Sequence, residues 1–229
     1  MRKPALYYFW SSTHSQRIRM ALSAKKVVYD ENALSFWEDE VFFELGVARQ
    51  VPILKMPNGE LYTDANNILW SIDQLFPDTI KLVNARIDAA AWQALLEWRK
   101  KVDAVLSRLL APALLNFIDI AESDESTKSY KKSIRVKYRM STEELANDRY
   151  AAFDQFSKLT NIRALGHHLS EKKFYMEQLS IADILIAADL YPLQCLDGVS
   201  LPIDILYYLA RVEKACGIDM QEGFKTRLM

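Results

Sequence analysis

Apolar residues in the first third of the chain alternate between short β-like runs and helical spacing, and from there on they keep helical spacing alone. Ala5-Leu6-Tyr7-Tyr8-Phe9-Trp10 reads as a strand and ends on a hydroxyl cluster, Ser11-Ser12-Thr13-His14-Ser15. Ile18, Ala21 and Leu22 then share one helical face, flanked by Arg17, Arg19, Lys25 and Lys26, before Val27-Val28-Tyr29 opens a second strand pattern. Gln50-Val51-Pro52-Ile53-Leu54 is a third, interrupted by a proline that a cis Val51-Pro52 bond at the strand's start would accommodate. Pro57-Asn58-Gly59 separates it from Leu61-Tyr62, which predicts a hairpin. Ala65, Ile68, Leu69, Ile72 and Leu75 form a helix that Thr63 or Asp64 can cap and Pro77 follows. The order is β-α-β, then β-β-α.

Beyond Pro77 the pattern is all-α. Ile87, Ala91, Leu95, Trp98, Val102, Val105 and Leu109 predict one long amphipathic helix. Its partners are Leu145, Ala152, Phe153, Phe156 and Leu159; Ile181, Ile184, Leu185 and Ala188; and Ile203, Leu206, Tyr207 and Ala210. Leu179-Ser180-Ile181-Ala182-Asp183-Ile184 predicts a capping box, with Ser180 and Asp183 each bonding the other's backbone N–H. The fold class is α/β plus all-α, with domains over 1–78 and 86–229 joined by a linker at 79–85.

Composition and charge narrow the function. A chain of 229 residues, half of them apolar, can bury two cores, and its formal charge of −1 argues against a nucleic-acid partner. Met1-Arg2-Lys3 is followed by too short an apolar stretch for a signal peptide, and no apolar run is long enough for a membrane span. Cys195 and Cys216 form no Cys-x-x-Cys pair, read as small core residues, and suit a cytoplasmic location. His167-His168, read as an exposed turn, lacks a neighbouring ligand set, so no metal is expected. From Glu122 to Glu144 charge is dense; Tyr130, Ile134 and Tyr138 give a basic helix a narrow apolar stripe, which reads as a solvated helix or linker, with 128–139 as a surface for a protein partner the alternative.

The serine cluster carries the candidate chemistry. At the start of a helix, free N–H groups favour an anion such as a thiolate, and a neighbouring hydroxyl can donate one more hydrogen bond. The same hydroxyls can simply cap the helix. His14 can touch a substrate there or sit with lowered basicity.

The element order, the serine loop and the Val-Pro pair before the hairpin resemble the thioredoxin-like domain of the glutathione transferase superfamily. Ser12-Thr13-His14-Ser15-Gln16-Arg17-Ile18-Arg19-Met20-Ala21-Leu22 is similar to the serine segment of zeta-class transferases. It also occupies the place of Cys-Pro-Tyr-Cys in the two-domain bacterial glutaredoxins, whose helical domain the second half resembles. The resemblance implies glutathione as co-substrate, no metal, a homodimer and a small electrophile bound near Trp98 and Leu106. It assigns the sulfur-binding hydroxyl to Ser12, with Ser15 as second candidate. Val51, before Pro52, matches the residue that pairs with the cysteinyl backbone, and Arg49 and Gln50 would meet the glycyl carboxylate. The family's Glu-Ser pair for the γ-glutamyl end is Asp64-Ala65 here, one hydroxyl and one methylene short. That departure, with the basic segment, keeps open a non-catalytic reading that resembles the transcription-associated adaptors of the stringent starvation protein A type. The Ser180–Asp183 box resembles the superfamily's folding motif.

Overall fold

A computed structural model describes residues 3–83, 87–176 and 178–226. Met1 and Arg2 of the leader reading, and Asn84 and Ala85 of the linker, lie outside the described residues. Four strands, β1 (Ala5–Tyr8), β2 (Asp30–Ala33), β3 (Ile53–Lys55) and β4 (Leu61–Tyr62), form one sheet in the order β2-β1-β3-β4. β2 runs parallel to β1, and β3 and β4 complete the sheet antiparallel. Alternation along β1 sends Leu6 and Tyr8 into the main core, shared with α1 (Thr13–Ala24) and α3 (Ala65–Leu75). Tyr7 and Phe9 join a smaller core against Phe42 of α2 (Glu40–Leu45) on the other face.

The second strand begins three residues later than the sequence pattern predicts. Asp30 is the residue in register with Ala5, so Val27-Val28-Tyr29 becomes the connection and Val28 is exposed. The Val51-Pro52 bond is cis and β3 starts just after it, so the proline interrupts no ladder. In the hairpin, Gly59 takes a left-handed φ of +91°, and Asn58 Oδ1 accepts the Glu60 N–H at 3.0 Å.

The helical half comprises α4 (Ala89–Leu110), α5 (Ile118–Ala121), α6 (Asp124–Tyr138), α7 (Thr142–Asn147), α8 (Arg149–Thr160), α9 (Ile162–Glu171), α10 (Ile181–Leu190) and α11 (Ile203–Cys216). The α4 stripe is inward: Leu95, Val102, Leu106 and Leu109 are buried. The α11 stripe is not the expected one. Ile205, Tyr208, Leu209 and Val212 face the core at the same helical spacing, leaving Ile203 and Tyr207 exposed, because the helix is apolar on two faces and periodicity alone does not rank them. Leu159 is exposed at the outer end of α8. His167 and His168 belong to α9 rather than a turn; His167 pairs with Glu171 and the His168 ring meets Tyr175 edge-on. Cys216 is buried in the core, Cys195 only partly, and burial raises both thiols to about 12.

The basic segment is a docked helix. Tyr130 and Ile134 of α6 are buried against Ala111, Ile120 and Leu145, and the Tyr130 hydroxyl donates to the Ala111 carbonyl at 2.7 Å. The capping box at Ser180 is present, and its carboxylate does more than cap. Asp183 Oδ2 accepts the backbone N–H and hydroxyl of Ser180, while Oδ1 accepts the Tyr175 N–H and the Tyr208 hydroxyl.

The two halves share one continuous core, and α1 packs on both α10 and α11. The C-terminal segment reinforces this junction: Gly223 lies so close to the Trp10 ring that a Cβ there would overlap it, and its carbonyl accepts the Ile118 N–H at 2.9 Å.

Candidate active site

The serine loop leaves the end of β1 and enters α1 at Ser12, which has extended backbone angles of φ −85° and ψ 111°. Its Oγ accepts the Ser15 N–H at 3.2 Å, so Ser12 caps the helix. That bond uses a lone pair and leaves the hydroxyl hydrogen free to donate. Capping and thiol binding, alternatives in the sequence, are compatible here. Ser12 is partly exposed, whereas Ser15 is fully buried and its Oγ has no hydrogen-bond partner among the described residues.

Five of the other predicted positions, Val51, Pro52, Asp64, Ala65 and His14, lie at this loop. Tyr7 pairs with Ile53 in antiparallel register, which brings Val51-Pro52 to the end of β1 from which the serine loop departs. Asp64 caps α3 by accepting the Asn67 N–H at 2.8 Å and remains exposed, and buried Ala65 opens the helix. The Arg17 guanidinium joins the two helix starts by donating to Asn66 Oδ1 at 3.4 Å. His14 stands among these groups. Burial and the charges of Arg17 and Arg99 lower it to about 4, against a smaller opposing pull from Asp189 and Asp64, so it is neutral at neutral pH.

The remaining predicted residues are placed otherwise. Arg49 pairs with Asp39 at 2.5 Å, donates to the Phe36 carbonyl and lies over the Phe9, Phe36 and Phe42 rings, so its guanidinium is already engaged. Gln50 is exposed. Leu106 is inside the core at 4 % exposure, and Trp98 is half-buried at its edge.

Sequence reasoning missed the groups that tie the loop to the helical half. Asp119 of α5 accepts the Ser11 N–H at 3.1 Å and the Ser11 hydroxyl at 2.6 Å, and its own carbonyl accepts the Phe36 N–H at 2.9 Å. Its only signal was a lone acid inside the apolar run Phe117-Ile118-Asp119-Ile120. Arg17, predicted on a helix flank, is wholly buried and pairs with Asp189 of α10 at 2.5 Å; Arg99 of α4 binds the other Asp189 oxygen at 2.6 Å. Burial opposes the Asp189 charge, but the two guanidiniums hold its carboxyl below the usual range.

Residues 11–75 match the family described as glutathione S-transferase, N-terminal domain. The match covers the thioredoxin-like domain alone, which is therefore similar to the N-terminal domain of glutathione S-transferases. A probable maleylacetoacetate isomerase of Caenorhabditis elegans is 30% identical over 80 residues, which are 34% of this chain and 37% of that protein. The alignment thus spans little more than a third of the curated relative. Among solved structures, glutaredoxin 2 of Salmonella typhimurium in complex with glutathione has a TM-score of 0.79 at 18% identity, over 96% of this chain and 97% of that one. A glutathione S-transferase of Ceriporiopsis subvermispora, also with glutathione, has a TM-score of 0.74 at 16% identity, over 93% and 98%. Both halves therefore share the glutathione transferase and glutaredoxin fold.

Proposed function

We propose that this protein is a cytoplasmic glutathione transferase that binds glutathione across the starts of α1 and α3 and stabilises its thiolate with the Ser12 hydroxyl. The observation that carries the reading is the partly exposed Ser12, whose oxygen is held by the Ser15 N–H while its hydrogen stays free. A hydrogen bond donated to sulfur, together with the N-terminal dipole of α1, favours the thiolate over the thiol, whose free pKa is about 8.5. The thiolate then attacks an electrophilic carbon, forming the C–S bond as that carbon's bond to its leaving group breaks and the leaving group departs with the electron pair, while the thiol proton leaves to solvent. In this reading Val51 offers main-chain groups to the cysteinyl unit, the α3 amides receive the γ-glutamyl carboxylate, and exposed Asp64 receives its ammonium. His14 brings no positive charge, and the engaged Arg49 leaves the glycyl carboxylate to Gln50. Serine without cysteine excludes a disulfide-exchange nucleophile in the loop. A homodimer is part of the proposal.

Calorimetric titration with glutathione tests it. Binding in the micromolar to low millimolar range supports the enzyme, and Ala65→Ser, which restores the missing donor, should tighten it by about ten- to a hundredfold. No heat with either protein contradicts it.

One feature favours a second reading, the adaptor. α6 exposes Lys128, Lys132, Arg135 and Lys137, with Arg139 at its C-terminal end and the exposed Val136 beside them. Failure of glutathione binding together with capture of an acidic protein segment on this helix would favour it.

A further inference from the structure

The loop that presents Ser12 is held from the other half of the molecule. Ser11, immediately before Ser12, is 7 % exposed and gives both its donors to Asp119, which is 3 % exposed. The Ser12 N–H donates to the Phe9 carbonyl at 3.2 Å, so the turn from Phe9 to Ser12 is anchored by one bond of its own and two to Asp119. Through its carbonyl the same aspartate also holds the segment that follows β2, at Phe36. We propose that Asp119 is a positioning residue for Ser12, and that gain of a proton at its carboxylate reverses the hydrogen bond with the Ser11 hydroxyl and so resets the loop. The proposal builds on the role given to Ser12 above.

Proton placement follows from the geometry. Ionised Asp119 accepts from both Ser11 groups. Once protonated at Oδ2 it still accepts the Ser11 N–H at Oδ1, but Oδ2–H now donates to Ser11 Oγ and the serine's own hydrogen is released to another acceptor. The clamp survives in both states; the direction of one bond and the loop's donor pattern change. No cation offsets the carboxylate among the groups bonded to it. Tyr130 from α6 and Tyr191 from the turn after α10 feel its charge, and burial keeps both phenols neutral over the ordinary range. On its own side of the fold, Lys225 of the C-terminal segment binds the Ala121 carbonyl, Glu122 just after α5 is exposed, and Glu222 pairs with Arg19. Burial therefore prevails over the two Ser11 bonds and raises Asp119 to about 7.

Amide NMR of the full chain without glutathione tests this. The Ser11 and Ser12 amides should titrate together with a one-proton midpoint near 7. Asp119→Asn should abolish the titration and hold both amides near their acid-limit shifts, because the carboxamide nitrogen donates to Ser11 Oγ as protonated Asp119 does. Ser11→Ala removes a bond that favours the ionised acid, so it should raise the midpoint. Flat amide shifts in the wild type, or an unchanged midpoint in Ser11→Ala, overturn the proposal, and the second holds even if the asparagine variant fails to fold. Glutathione affinity is then compared: Asp119→Asn should match the wild type at about pH 5.5 and differ from it several-fold at about pH 8.5. Equal affinities at both pH values contradict the link to Ser12. If the amides titrate as expected but glutathione binds neither protein, the assignment of glutathione fails and the switch at Ser11 stands.

Discussion

At the scale of single residues, two titratable groups at the serine loop, buried Asp119 of α5 and partly buried His14, have opposite consequences for stability. Asp119 is raised to about 7, so the folded state holds a proton that the unfolded carboxyl has lost; this contribution is full below the ordinary aspartate range and declines as pH rises toward 7. His14 is lowered to about 4, so its contribution is present above the ordinary histidine value and is lost as pH falls toward 4. Between these limits the two slopes oppose and the wild type should show little net dependence from this pair. In denaturant melts across that window, Asp119→Asn should leave stability rising with pH, and His14→Gln should leave it falling, each by up to about 1.4 kcal/mol per pH unit. Parallel slopes in both variants would refute the assignment. Ser12 and Asp64 were legible in sequence because helix starts announce themselves with hydroxyls and acids, and His14 was legible only through its place in the serine cluster. Asp119 was not, because a buried acid bonded 108 positions away leaves no periodic trace.

At the scale of elements, the capping box shows how a local motif can carry a tertiary load. Removing the Ser180 hydroxyl should cost about 0.5–2 kcal/mol, as for an ordinary cap. Asp183→Ala should cost more, at least about 3 kcal/mol, because it strands the Ser180, Tyr175 and Tyr208 donors in the core. Equal costs in thermal or denaturant melts would show that the carboxylate only caps. The spacing from Ser180 to Asp183 predicted the box, but Tyr208 sits on another helix and lay beyond any local reading. The same limit explains α11, where two apolar faces competed and only packing against α9 and α1 chose between them. β3, the hairpin and α3 were readable because proline, Asn-Gly and a capping aspartate act locally.

At the scale of the whole molecule, charges buried at the junction of the halves join the first domain to the second. Arg17, Asp189 and Arg99 link α1, α10 and α4, so Asp189→Ala should leave Arg17 buried without its partner and cost about 3–5 kcal/mol, and the chain should still unfold in one transition. A separate early transition of either half would contradict the shared core. The β-α-β, β-β-α order and the helical second half were evident from periodicity, whereas this junction was not, since Arg17 read only as a flank of α1 and Arg99 of α4 fell outside the apolar pattern. The thiolate proposed beside Ser12 is read directly by the ultraviolet absorbance of bound glutathione, followed as pH is raised. The wild-type complex should ionise well below the free thiol value of about 8.5, and Ser12→Ala should return the midpoint toward it. A bound thiol that titrates like free glutathione in the wild type, or a depressed midpoint that Ser12→Ala leaves unchanged, would contradict the account.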